Sequence, residues 1–176
     1  LNEENDPATR KVVLNKIEGN ISFKNISFSY DDKTSVLHDV SFEAPMGSVT
    51  ALVGSSGSGK STIASLASAF LIPNSGEVLI DGIDLSTVDL QSFRSQLGVV
   101  LQDDFLYEGT IRENILFPCP HASEDELQQA VHGAYVSEFT DRFEKGIDTL
   151  IGERGVKLSG GQRQRISIAR ALLAQP

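Results

Sequence analysis

The sequence has little cysteine and no long apolar run, and both shortages restrict the kind of protein it encodes. Its single cysteine, Cys119, cannot form an internal disulfide, and the surrounding "FPCPH" lacks the ligand spacing of a zinc site. A reduced, cytosolic setting is therefore expected. The most apolar stretch, residues 63–72, is far shorter than the roughly 20 residues that span a bilayer. We predict neither a membrane span nor a signal peptide in these 176 residues.

The chain also lacks an excess of positive charge. Its formal net charge is −9, and affinity for nucleic acid depends on clustered Lys and Arg, so the composition argues against a nucleic-acid-binding protein. Basic residues are nevertheless concentrated in residues 153–170, which could hold a small polyanion. A hydrophobic content of 40% is enough to bury a core without disulfides or metal.

The apolar patterns predict a mixed α/β chain. Apolar residues alternate over residues 21–30 with one slipped position, which indicates a strand with a bulge, and residues 35–44 repeat the alternation. These two segments predict an antiparallel sheet. Residues 48–54 and 97–103 are nearly continuous apolar runs, typical of buried strands in a parallel sheet. A further strand is predicted at residues 76–82.

Helical signals dominate between residues 103 and 157. Ser123 with Glu126 forms a capping-box pattern at the start of one predicted helix. A final helix is predicted to begin at Ser159. Its apolar stripe consists of Ile166, Ala169 and Leu173, with Leu172 beside them.

One loop matches a phosphate-binding pattern at every position. Residues 54–61, "GSSGSGKS", fit G-x-x-x-x-G-K-[ST] between a predicted strand and a predicted helix. Its glycines let backbone amides surround phosphates, and the helix start adds a positive dipole. Lys60 would neutralise the β- and γ-phosphate charge, and the Ser61 hydroxyl would complete the coordination of Mg²⁺. The predicted nucleotide-binding residues here are Gly54, Ser55, Gly57, Ser58, Gly59, Lys60, Ser61 and Thr62.

A second glycine-rich site, "LSGGQ", covers residues 158–162. Ser159 offers a hydroxyl, and Gly160 and Gly161 offer unobstructed amides at a predicted helix start, which suits an anion. Taken alone, this motif would be an ordinary helix cap with glycines.

Together with the phosphate loop, "LSGGQ" resembles the signature sequence of the ATP-binding cassette (ABC) ATPases, and the resemblance covers roughly residues 19–176. Tyr30 lies upstream of the loop, where the family has an aromatic residue that stacks on adenine. Gln102 ends a predicted strand as the family's Q-loop glutamine does, which implies a Mg²⁺ ligand and a catalytic role beside Lys60. On their own, Tyr30 would be a core aromatic and Gln102 a polar strand end. The segment "TLIGERG", residues 149–155, resembles the one that ABC exporters place before the signature.

The resemblance implies an α/β fold: a P-loop NTPase core with a parallel sheet, an N-terminal antiparallel β-subdomain and an inserted α-helical subdomain at about residues 103–157. Residues 1–18 are expected to be a linker or disordered lead-in, and residues 19–176 a partial ABC ATPase domain. The family's Mg²⁺-binding aspartate, catalytic glutamate and switch histidine are absent from this sequence. We therefore expect the C-terminal part of the core to be missing, strand edges to be uncovered, and this piece alone to hydrolyse ATP poorly.

In this family two cassettes pair head to tail, and the signature of one closes on the ATP held by the phosphate loop of the other. The resemblance thus implies that Ser159, Gly160, Gly161 and Gln162 act in trans. Homodimer and heterodimer remain open. The leading interpretation is the ATP-binding and ATP-hydrolysing domain of an exporter at the cytoplasmic face of a membrane, with a transmembrane domain fused upstream and no nucleic-acid partner.

Two other interpretations remain open. One is a non-transport cassette, an ATP-gated clamp in DNA repair, chromosome organisation or translation, although long coiled coils and basic surfaces are not evident. The other is a phosphate-loop kinase or GTPase, but that class lacks "LSGGQ", and no Asn-Lys-x-Asp guanine reader occurs in the sequence.

Overall fold

A computed structural model describes residues 12–31, 34–101, 105–152 and 155–176 of the chain. The chain divides into two compact units, Leu1–Ser95 and Gln96–Pro176. The predicted helical subdomain, about residues 103–157, lies within the second unit, which is larger. The bounds of that subdomain stay a prediction.

A four-stranded antiparallel sheet forms the frame of the first unit, with strand order β2-β1-β3-β4. The predicted antiparallel pairing of residues 21–30 with residues 35–44 is confirmed. The strands are β1 (Ile21–Ser29), β2 (Ser35–Ala44), β3 (Ser75–Ile80) and β4 (Ile83–Asp84), and the helices are α1 (Lys60–Ala67) and α2 (Leu90–Arg94).

The predicted bulge in β1 is also confirmed. The pairing of β1 with β2 changes register between Phe23 and Ile26, and Asn25 between them has a φ of 50°. Gly76 of β3 fits against this bulge, since a Cβ there would meet the backbone oxygens of Lys24 and Asn25. The bulge therefore requires a glycine on the neighbouring strand.

The two predicted strands of a parallel sheet are not strands among the described residues. Residues 48–54 and 97–101 have no strand assignment, and residues 102 and 103 lie outside the described part of the chain. Val49 is 98% exposed and Val53 92% exposed, so the prediction that the first run is buried is wrong here. A strand needs a hydrogen-bonded neighbour, and a buried one needs cover on both faces. Within the described residues, neither segment is paired in a sheet.

The second half of the predicted lead-in, residues 1–18, is attached to the first unit. Val12 forms a parallel bridge with Val88. Leu14 is buried and donates its N–H to the Ser92 hydroxyl at 3.0 Å. This part of the predicted lead-in is therefore held by backbone hydrogen bonds and by the buried Leu14. The first eleven residues lie outside the described part of the chain.

The regular elements of the second unit are mainly helices, as the sequence predicts. A cluster of buried apolar side chains joins the helices α3 (Ile111–Leu116), α4 (Glu124–Gly133) and α6 (Gly160–Leu173). It contains the predicted stripe residues Ile166, Ala169 and Leu173. Leu172, beside that stripe, is 43% exposed. None of the described helices combines the length and the apolar character needed to cross a membrane. The elements are β5 (Gly109–Thr110), α3 (Ile111–Leu116), α4 (Glu124–Gly133), α5 (Ser137–Thr140), β6 (Leu150–Ile151) and α6 (Gly160–Leu173).

The helix α4 begins as its sequence predicts. The Ser123 hydroxyl accepts the Glu126 N–H, and the Glu126 carboxylate accepts the Ser123 N–H at 2.8 Å. The donated N–H, with the Ser123 hydroxyl second, lowers the pKa of Glu126 below its ordinary value. Thr110 and Glu113 form the same reciprocal cap at the start of α3. Both helix starts are thus fixed by residues three positions apart.

An ion-pair cluster on the surface of the second unit ties α3 to α4. The Arg112 guanidinium lies 2.6 Å from the Glu124 carboxylate and 2.6 Å from that of Asp148. Hydrogen bonds to Asp148 and then Glu124 raise the pKa of Arg112. Hydrogen bonds from Gln128 and then Arg112 lower the pKa of Glu124. Because these carboxylates are exposed, the cluster orients the helices more than it stabilises them.

Candidate functional site

The phosphate-loop sequence forms an exposed loop that leads directly into α1. Gly57 and Gly59 have φ angles of 80° and 88°, a backbone region that side chains disfavour. A Cβ on the buried Gly59 would lie 2.6 Å from the Leu37 side chain, and one on Gly54 would lie 2.6 Å from the Ser58 hydroxyl oxygen. The positive φ angles therefore favour glycine at positions 57 and 59, whereas at position 54 a side chain would require the Ser58 hydroxyl to move.

The Lys60 side chain folds back over this loop. Its ammonium donates to the carbonyl oxygens of Gly54 at 3.0 Å and Ser55 at 2.6 Å, and to the Ser58 hydroxyl at 3.3 Å. An ammonium has three N–H bonds, and the loop provides one oxygen for each. The loop thus holds a positive charge at its centre, in the place where the sequence predicts phosphate contacts.

Tyr30 lies beside the first turn of α1. Its hydroxyl is hydrogen-bonded to that of Thr62 at 3.0 Å, and its ring packs edge-to-face with Phe28 at 5.0 Å between centroids. Thr62 is 3% exposed, whereas Tyr30 is 65% exposed. The structure therefore brings Tyr30 to the phosphate-loop helix and leaves most of its surface accessible. Ser61, next in the turn, is exposed.

The signature motif caps the longest helix of the second unit. Ser159 is the N-cap of α6: its hydroxyl accepts the Gln162 N–H at 3.3 Å, and Gln162 accepts the Ser159 N–H at 2.8 Å. This confirms the predicted helix start. Ser159, Gly160 and Gly161 are all exposed, and a Cβ on Gly161 would meet no atom within 4 Å. The first turn of α6 therefore offers backbone N–H groups to any ligand without steric hindrance.

Some of the predicted site residues lie outside the described part of the chain. Gln102 lies outside the described residues, and so do Glu153 and Arg154 of the "TLIGERG" segment. The structure brings Tyr30 and the phosphate loop together in the first unit, and it assembles the capped signature in the second unit.

A polar cluster in the second unit was missed by sequence reasoning. Asn114 is 1% exposed, although it lies in the apolar face of α3. Its side chain donates to the carbonyl oxygens of Tyr107 and Thr110 and accepts the Tyr107 N–H at 2.9 Å. Arg170 of α6 donates to the Asn114 backbone and side-chain oxygens and to the Phe105 carbonyl. These hydrogen bonds join the signature helix α6 to residues 105–110. The sequence signal for this cluster was Asn114 itself, a polar residue at a position where the period of the helix predicts an apolar one.

The family of this chain follows from comparison with known proteins. A family model described as "ABC transporter" matches residues 37–176, which is most of the chain. The chain belongs to the ABC transporter family. The predicted resemblance is confirmed, and as an ABC ATPase domain the chain is an ATP-binding domain.

Similar proteins include some that are named for export or translocation. The putative multidrug export ATP-binding/permease protein YgaD of Bacillus subtilis is 50% identical over 166 residues, covering 94% of this chain and 29% of that protein. The leukotoxin translocation ATP-binding protein LktB of Mannheimia haemolytica is 45% identical over 177 residues, covering all of this chain and 25% of that protein. The chain spans between a quarter and a third of the length of these relatives.

The same likeness holds in three dimensions. The solved structure of a bacterial Atm1-family ABC exporter with ATP bound matches with a TM-score of 0.87 and 44% identity, over 97% of this chain and 30% of that chain. This match confirms the predicted fold class, a P-loop NTPase domain of the ABC type with an N-terminal antiparallel sheet.

Proposed function

We propose that this chain is the nucleotide-binding domain of an ABC exporter, which uses ATP binding and hydrolysis to drive transport across a membrane. The observation that carries the proposal is the loop of residues 54–59 closed around the Lys60 ammonium, with Tyr30 held against the helix that follows. A cationic loop with an aromatic ring nearby suits a triphosphate attached to a flat, aromatic base.

The residues of the first unit have separate roles in this proposal. The exposed ring of Tyr30 stacks on adenine. The loop amides of residues 54–60 surround the phosphates, and Lys60 exchanges its loop oxygens for phosphate oxygens. That exchange costs little, since one set of charged hydrogen bonds replaces another.

The residues also fit a Mg²⁺ ion. Ser61 presents an exposed hydroxyl next to the lysine, and Gln102 would add an amide oxygen; hard oxygen donors of this kind suit Mg²⁺. When bound, the ion would neutralise charge on the phosphate oxygens during phosphoryl transfer. Ser61 and Gln102 would hold the ion, and Lys60 would stabilise the charge on the same phosphates.

The signature belongs to a second site in the proposal. Ser159 uses a lone pair to accept the Gln162 N–H, so its own O–H remains able to donate to a phosphate oxygen of another cassette. Gly160 and Gly161 add unobstructed amides at the same helix start. Gln162 keeps the cap closed and thereby holds the Ser159 hydroxyl in place. ATP between two such cassettes joins them head to tail, and hydrolysis releases them.

The proposed role in transport is supported by the names of similar proteins. Their names describe multidrug export and leukotoxin translocation, and each is several times longer than this chain. We propose that a transmembrane domain precedes this one in the same polypeptide and that the domain lies at the cytoplasmic face. The "TLIGERG" segment would contact that membrane portion.

An ATP-dependent crosslink in the full-length protein tests the pairing. In a Cys119→Ser background, Ser159→Cys and Ser58→Cys are introduced on separate, differently tagged copies. We expect a disulfide between copies only when ATP is bound. Ser48→Cys, an exposed position before the loop, serves as the matched control and should not crosslink. A strictly monomeric ATP-bound protein, or a crosslink confined to one chain, would refute the proposal.

A further inference from the structure

The hydrogen bond between the Tyr30 and Thr62 hydroxyls connects the end of β1 to the first turn of α1. The two oxygens lie 3.0 Å apart, and the residues are 32 positions apart in sequence. Thr62 is 3% exposed, so its side chain is shielded from solvent. A buried hydroxyl needs a hydrogen-bond partner, and here that partner is the phenol of Tyr30.

A second contact restrains the same ring. Phe28, which is 6% exposed, packs edge-to-face with Tyr30 at an interplanar angle of 90°. The apolar contact acts on the ring and the hydrogen bond on its hydroxyl end. An exposed tyrosine normally changes rotamer freely, whereas these two contacts restrict the orientation of this one.

We propose that the Tyr30–Thr62 hydrogen bond presets the Tyr30 ring for the nucleobase, and that Thr62 is a positioning residue for base recognition. This inference rests on the proposed function, in which Tyr30 stacks on the base. In this proposal the Thr62 hydroxyl binds the Tyr30 phenol and not a phosphate. The phenol oxygen of Tyr30 then contributes to nucleotide affinity in addition to its ring.

The energetic consequence concerns preorganisation. Fixing a mobile side chain on binding reduces affinity, and a ring that is already held avoids that loss. A single hydrogen bond of this kind changes affinity by about fivefold. The gain applies only to ligands that carry a base, because a bare triphosphate does not touch the ring.

The test measures dissociation constants of ATP and of inorganic tripolyphosphate for the full-length protein by calorimetry. Tyr30→Phe keeps the ring and removes the phenol oxygen, and Thr62→Val removes the other hydroxyl. We expect each to weaken ATP binding about fivefold, the double variant to be no weaker than either single variant, and tripolyphosphate binding to be unchanged. Thr62→Ser restores the hydroxyl and should retain the affinity for ATP.

Tyr135→Phe is the matched control, since Tyr135 is an exposed tyrosine of the second unit. It should leave both affinities unchanged. Independent, multiplying losses in the double variant would overturn the inference, because the two hydroxyls would then not act as a pair. An equal loss of tripolyphosphate binding in Thr62→Val would also overturn it, since the hydroxyl would then serve the phosphates. Either result leaves ATP binding by the unaltered protein intact, whereas a protein that binds no ATP would refute the proposed function itself.

Discussion

Arg170 donates a hydrogen bond to the side-chain oxygen of Asn114 at 2.6 Å, and this contact joins the signature helix to α3 across 56 positions of sequence. The same asparagine satisfies the backbone of residues 107 and 110. A buried amide with all its donors and acceptors used is a strong structural link, because removing it leaves several polar groups unpaired.

We therefore predict that Asn114→Ala destabilises the packing of α3 against α6 by about 2–4 kcal/mol. Hydrogen exchange followed by mass spectrometry on the full-length protein measures this as lost protection in residues 105–116 and 160–173. Gln164→Ala, at an exposed position of α6, is the control and should leave protection within about 0.5 kcal/mol. Equal protection in both variants would contradict the assigned role of Asn114.

Lys60→Ala should abolish ATP turnover by the full-length protein. The variant leaves charge on the transferred phosphoryl group unbalanced, so we expect turnover to fall at least about a hundredfold. The fold should survive, since all the Lys60 hydrogen bonds found among the described residues lie within its own loop. A phosphate-release assay measures the loss, with Lys145→Ala at an exposed site as the control. Unchanged turnover in Lys60→Ala would refute the assignment.

Ser159→Arg should separate nucleotide binding from pairing. The long cation replaces a small hydroxyl at an exposed helix start, so we expect it to block the approach of a second cassette, while the residues of the phosphate loop stay unchanged. We expect ATP affinity within about twofold of the unaltered protein and no ATP-dependent dimer in size-exclusion chromatography with light scattering. Ser159→Thr keeps a capping hydroxyl and should still pair. If binding and pairing are lost together, Ser159 does not act in trans.

Acid should weaken the start of α4 through Glu126. Its pKa is lower in the folded protein than in the unfolded chain, because the carboxylate accepts the Ser123 N–H. The stabilisation is therefore complete above the unfolded pKa and is lost as the pH falls through the lower, folded pKa. Glu126→Gln keeps the capping pattern but cannot titrate. Hydrogen exchange of residues 124–133 between about pH 6 and pH 3, corrected for the intrinsic exchange rate, should show a smaller pH dependence in this variant than in the parent. An unchanged pH dependence would exclude Glu126 as the titrating group.

Local signals were the predictable part of this fold. The start of α4 follows from Ser123 and Glu126, because a capping box is complete within one turn, and the start of α6 follows from the serine before two glycines. The hairpin of β1 and β2 and its bulge follow from apolar alternation. The phosphate loop was recognisable because its chemistry requires glycines at fixed spacing, and the structure gives Gly57 and Gly59 the backbone angles that explain them.

Non-local partners were not predictable. Residues 48–54 read as a buried strand, but burial and pairing depend on neighbours that the run itself does not specify, and the structure leaves Val49 and Val53 exposed. The Tyr30–Thr62 and Asn114–Arg170 contacts join side chains far apart in sequence, and no spacing rule connects them. Sequence reasoning therefore found the residues of the loop and the signature, but not the side chains that hold their surroundings in place.

The reciprocal caps at Thr110, Ser123 and Ser159 have a consequence for the order in which the second unit folds. Each cap closes within a single turn, so it can nucleate its helix as soon as that short piece of chain is available. The burial of Ile166 among α3 and α4 must wait for a loop of about fifty residues to close, which is slower. We expect nascent helices to precede collapse, so that damage to a cap slows folding while damage to the core hastens unfolding.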